Sequence, residues 1–95
     1  MKFLYKKFDS SVINQSFYNK KNNILILHFN TGSFWLYLNV DIEVYDSLIS
    51  AHSAGAYFNQ HIRNYYNSIK IVDISDFLDE KFLNETHQET IKKTT

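Results

Sequence analysis

Ninety-five residues carry no net charge, no cysteine and no proline. That length makes one domain with a modest core, enlarged by seven tyrosines, eight phenylalanines and one tryptophan, each of which buries a large area. Without cysteine, disulfide frameworks, thiolate metal sites and thiolate nucleophiles are excluded.

No apolar run approaches the roughly 20 residues of a membrane-spanning helix. The opening "MKFLYKKFDSS" has lysines without a sustained apolar stretch, so a cytoplasmic location is expected. Charge is unevenly placed. Residues 1–72 hold seven Lys/Arg against four acids, and residues 73–95 hold three lysines against six acids. A mildly basic body with an acidic tail is compatible with an anionic ligand, but it lacks the strong field of a dedicated duplex binder. Ordinary surface charge explains the same numbers.

In chain order, residues 12–18 read as a strand and residues 19–23 as a polar turn. "NILILHFNTGSFWLYLNV" then forms two strands around Asn30-Thr31-Gly32, with Gly32 at the left-handed place of a three-residue loop. This register sets Leu25 opposite Tyr37 and Leu27 opposite Trp35 on one face. The other face carries Ile24, Ile26 and His28 beside Phe34, Leu36 and Leu38. Both faces are largely apolar, so each needs a cover. Asp41 is placed to cap a helix bearing Ile42, Tyr45, Leu48 and Ile49 on one stripe. Gly55 is expected to end or bend it. A second helix is predicted with Phe58, Ile62, Tyr65 and Ile69 on its buried side, and "SIKIVDI" offers a short closing strand. Ser75 and the acids after it start a further helix whose Phe77, Leu78 and Phe82 form an apolar patch. That patch, or a second copy of the chain, is the expected cover of the extra sheet face. The fold class is therefore α+β: a three- or four-stranded antiparallel meander, two packed helices and an added C-terminal helix.

The residues also carry a resemblance. Ser10-Ser11, Tyr18, Leu25-x-Leu27-x-Phe29-xx-Gly32, Trp35-x-Tyr37-xx-Val40, Tyr45-xx-Leu48 and Ala51-x-Ser53-x-Gly55-x-Tyr57-Phe58-Asn59-xx-Ile62-Arg63 together resemble the KTSC domain. This small module takes its name from its occurrence at the C-terminus of some lysyl-tRNA synthetases. The resemblance runs from Ser10 to about Ile71, so residues 1–72 are expected to form the KTSC-like domain and residues 73–95 an acidic helical extension with a frayed end. Trp35 stands where the family usually has tyrosine, and Asp41 where proline commonly follows the valine. Aspartate and proline both start helices, so the fold should persist. The resemblance implies no catalytic role; the attachment to a synthetase implies an accessory contact to RNA or a nucleotide.

Several residues invite a chemical role, and each has a structural alternative. Ser53 and Gly55 precede or open a helix, where free backbone N–H groups hold anions; they equally make a capped helical corner. Asn59 and Arg63 share a helix face, with Ser10 and Ser11 within reach from the first strand. Together they can read a phosphate or a base edge, or lock helix to strand as a buried network. Trp35 and Tyr37 are compatible with base stacking, although core packing is the favoured reading because Leu25 and Leu27 share their face. Tyr18, Tyr57 and Tyr66 are assigned to the rim. His28, His52, His61 and His87 show no ligand spacing, so neither a metal nor a cofactor is expected. No phosphate loop or nucleophile elbow is present, and no enzyme is expected.

The leading expectation is a non-catalytic module binding RNA or a nucleotide-like anion through Ser10, Ser11, Ser53, Gly55, Tyr57, Asn59, Arg63 and Tyr66. Sequestering a host nucleotide would be one use if the chain is phage-borne. The alternative is a protein–protein adaptor or homo-oligomer built on the second apolar sheet face.

Overall fold

The computed structural model describes residues 2–72. Five strands run in chain order across one antiparallel sheet: β1 (Leu4–Lys7), β2 (Ile13–Asn19), β3 (Ile24–Phe29), β4 (Phe34–Tyr37) and β5 (Ser68–Ile71). Two helices, α1 (Ile42–Ser50) and α2 (Ala54–His61), connect β4 to β5. The α+β class and the meander are as expected, but the sheet has one strand more than anticipated. That strand is β1. Its four residues are short and half lysine, so neither alternation nor β-branching marks it, and only pairing with β2 makes it a strand.

The central hairpin has the expected register, Leu25 opposite Tyr37 and Leu27 opposite Trp35. Gly32 takes φ +98°, and its N–H donates to the Phe29 carbonyl at 2.9 Å, closing the loop. On the other side of β3, Asn23 adopts φ 56°, a conformation asparagine tolerates better than most residues. Asn19 organises that turn. Its side-chain oxygen accepts from the Asn22 N–H at 2.7 Å, while its amide donates to the Lys2 carbonyl at 2.8 Å.

Pairing residues share a face, so the sheet has two distinct sides. On the first side lie Tyr18, Leu25, Leu27 and Tyr37, packed with Tyr45 and Leu48 of α1, Phe58 of α2 and Ile62 just beyond it. Tyr18 stacks on Tyr45, with ring centroids 4.6 Å apart and planes 10° from parallel. The Tyr45 hydroxyl pairs with the buried Ser16 hydroxyl at 2.9 Å, and the Tyr18 hydroxyl donates to the Val40 carbonyl at 2.6 Å. Tyr18 is therefore a core residue, not a rim residue. On the second side lie Phe17, Ile26, Leu36 and Ile71, joined by Phe3. Both sheet faces are apolar, as the pattern required. The predicted cover by residues 73–95, including Phe77, Leu78 and Phe82, lies outside the described residues.

Three helical expectations are corrected. Asp41 occupies the N-cap position of α1, yet its side chain makes no capping bond. Gly55 does not end or bend a helix: α1 stops at Ser50, and Gly55 sits buried in the first turn of α2. Its glycine identity answers to space. A Cβ there would stand 2.7 Å from Val12 Cγ2, so only glycine lets α2 approach the segment before β2. The second helix is also shorter than its apolar period suggested. It ends at His61, Ile62 caps it, and the Arg63 N–H reaches back to the Phe58 carbonyl at 2.9 Å. Tyr65 is left exposed and Ile69 enters β5, because pairing with Leu36 competes successfully with continued helix.

Candidate functional site

The two helices do not cover the whole first face. Beyond α2, toward the β3–β4 loop and β5, a cleft of about 590 Å³ remains. Its floor is aromatic: Phe29 and Phe58, then Trp35 and Tyr37 from β4. Phe58 meets Phe29 edge-on at 5.1 Å and Tyr37 at 5.9 Å, so the floor is one interlocked set of rings. Its rim is polar. Ser11, Asn30 and Thr31 line it on the loop side, while Asn59, Arg63 and Asn64 line it on the helix side.

The alternation of β4 places Trp35 and Tyr37 on this face, and the early end of α2 places Arg63 above them. The side chains of Asn59, Arg63 and Asn64 make no hydrogen bond or ion pair among the described residues. Asn30 is tied down, its amide donating to the Ser10 carbonyl at 2.7 Å. Tyr37 combines two properties. It is 4% exposed, and burial pushes its hydroxyl up to about 12, with the nearby Arg63 charge acting in the opposite direction. Its hydroxyl finds no hydrogen-bond partner among the described residues.

Of the predicted site residues, Ser11, Asn59 and Arg63 come together here. Ser10, Ser53, Gly55, Tyr57 and Tyr66 do not line the cleft. Ser10 Oγ accepts from the Val12 and Ile13 N–H groups at 3.0 and 3.2 Å, fixing the entry to β2. Ser53 caps α2, its Oγ accepting from the Ala56 N–H at 3.2 Å. Tyr57 lies against His61 with ring centroids 4.6 Å apart. Tyr66 packs at the edge of the first core, where burial, and then Asp41 and Tyr57, raise its hydroxyl pKa. Among the described residues no three His, Cys, Asp or Glu side chains cluster as metal ligands.

Comparison with known proteins identifies the architecture. The KTSC domain profile matches residues 9–66, more than half of the chain. The chain belongs to the KTSC domain family. A protein of Tsukamurella paurometabola is 32% identical over 63 residues, which are 66% of this chain and 94% of that relative. The crystal structure of a KTSC domain protein from Yersinia pestis is similar with a TM-score of 0.70 and 26% identity, covering 73% of this chain and 97% of the other.

Within the KTSC domain match fall all of the cleft's named residues, from Ser11 to Asn64. Strands β1 and β5 lie outside it. The tryptophan noted above as a departure from the KTSC pattern, Trp35, is the one that paves the cleft.

Proposed function

We propose that this KTSC domain is a non-catalytic binding module for RNA or a nucleotide-like anionic ligand, which it holds in the cleft below Arg63. The observation that supports this reading is the pairing of an aromatic floor with a guanidinium and two amides on its rim that are unengaged among the described residues. Rings accept a flat base, and the guanidinium and amides supply donors for phosphate oxygens or base edges. Retaining the ligand without changing it would make sequestration one use of the site.

Native mass spectrometry of freshly purified protein reads stoichiometry and any co-purified small molecule together. The reading expects a bound anionic species, or saturable RNA or nucleotide binding, that Arg63→Ala and Asn59→Ala abolish without lowering Tm. Loss of stability in both variants, with no ligand bound by the parent, would contradict it.

A second reading, a protein–protein adaptor or homo-oligomer, is favoured by the outer edge of the sheet. Ile69 on edge strand β5 is 57% exposed and the adjoining Val72 is 97% exposed, apolar side chains beside backbone groups that no other described strand pairs. Removing residues 73–95 tests it. A truncated chain that stays soluble at unchanged assembly size favours oligomerisation, whereas aggregation points to a cover supplied in cis.

A further inference from the structure

Tyr37 is the residue in the cleft whose chemistry is least satisfied. A buried hydroxyl without a partner is unfavourable, because it has given up water and gained nothing in return. Here the hydroxyl belongs to a side chain that is 4% exposed, borders the cleft and lies within the electrostatic reach of Arg63. An O–H donor and a fixed positive charge that address the same space are matched to one acceptor, an anionic oxygen. Trp35 lies two residues away on the same face of β4 and has no ring partner of its own among the described residues. It is half-buried, so one part of the indole is held in the core while the rest is open to the cleft.

We infer that the cleft takes one unpaired nucleotide unit, its base laid against the Trp35 indole and its phosphate oxygen held between the Tyr37 hydroxyl and the Arg63 guanidinium. The inference rests on the binding reading above and names the ligand unit and a donor, Tyr37, that the reading does not require. The tyrosine stays protonated throughout the physiological range, since its pKa is raised to about 12, and so remains a donor to an anion. The cleft's volume, about 590 Å³, suits a single nucleotide rather than a duplex. A single-stranded RNA and a free nucleotide present the same unit, and the experiment separates them.

Trp35 is the only tryptophan in the chain, so its fluorescence reports the cleft directly. Two unlabelled probes are titrated: a mixed-sequence single-stranded RNA hexamer and an equimolar set of the four nucleoside 5′-monophosphates. In parallel, anisotropy of a fluorescein-labelled hexamer and equilibrium dialysis of the monophosphates measure binding wherever it occurs. The inference expects saturable quenching of Trp35 by at least one probe; quenching by the hexamer alone identifies a strand, and quenching by the monophosphates identifies a free nucleotide. Tyr37→Phe should weaken that binding about tenfold with Tm unchanged or raised, because the lost hydroxyl has no partner among the described residues. Binding without any change in Trp35 emission, or equal affinity in Tyr37→Phe, overturns the inference and leaves the binding reading standing. Absence of binding to either probe by every method overturns both.

Discussion

Gly55 of α2 and Val12 before β2 approach so closely that a Cβ on the glycine would stand 2.7 Å from Val12 Cγ2 and 3.1 Å from Val12 Cβ. Both atoms belong to a β-branched side chain that has little freedom to swing aside. This contact sets how near α2 lies to the sheet, and with it the position of the helix end that carries Asn59 and Arg63 over the cleft.

Gly55→Ala should therefore destabilise the domain by about 1–3 kcal/mol through overpacking. Adding Val12→Ala should recover part of that loss, because the smaller side chain removes the obstructing methyl. Urea denaturation of the two variants and the double variant checks this; a stable single Gly55→Ala would mean that the helix is not held by the contact.

Ser16 and Tyr45 form a buried pair at 2.9 Å, with Ser16 fully inaccessible and burial pushing the Tyr45 hydroxyl up to about 12. Removing one hydroxyl leaves the other unsatisfied, at a cost of about 1–3 kcal/mol. Ser16→Ala and Tyr45→Phe should each show that cost, and the double variant should lose less than their sum. Additive losses in a double-mutant cycle would show that the pair is not coupled.

His28 on the second sheet face stacks on Phe34 at 4.0 Å, and its Nδ1 lies 3.0 Å from the Gln15 amide nitrogen. The Tyr5 hydroxyl donates to the Gln15 side-chain oxygen at 2.6 Å, which turns the amide N–H₂ toward an unprotonated Nδ1. Burial lowers the His28 pKa from 6.5. The unfolded chain thus binds the proton more readily, and this contribution to stability is present above about pH 6.5 and is lost as the pH falls toward the lowered value. Tm should decline between pH 7 and 5.5, and His28→Phe should flatten the decline. An unchanged slope in the variant would place the titration elsewhere.

Ser53→Ala removes the α2 cap and should cost about 0.5–2 kcal/mol. Ligand affinity should be unchanged at temperatures where the variant is folded, because Ser53 does not line the cleft. A selective loss of affinity, measured by titration, would return the site to the start of α2.

The hairpin was legible because its period, its glycine and its turn residues agree, and both register pairs follow from them. The helical stripe of Ile42, Tyr45, Leu48 and Ile49 was legible for the same reason. β1 was not, since a strand with two lysines in four residues depends on its neighbour and not on its own pattern. The end of α2 was misread because Tyr65 and Ile69 continue the helical spacing while Ile69 is recruited to the sheet edge. The i, i+4 spacing of Asn59 and Arg63 put them on one helix face, and both line the cleft. Ser10 and Ser53 lie away from the cleft, and their hydroxyl oxygens accept from neighbouring N–H groups, local bonds that spacing alone does not reveal. Trp35 and Tyr37 share the core face with Leu25 and Leu27, and only the position where α2 stops shows that the helices leave part of that face uncovered.

The most direct test of the cleft is nitrogen-15 chemical-shift mapping of the full chain titrated with the mixed RNA hexamer and with the nucleoside monophosphates. Saturable shifts confined to the Trp35 indole N–H, the Asn59 and Asn64 amides and the Arg63 guanidinium are the predicted result. Shifts centred on Ser53, Gly55 and Ala56, or none with either probe, would contradict it.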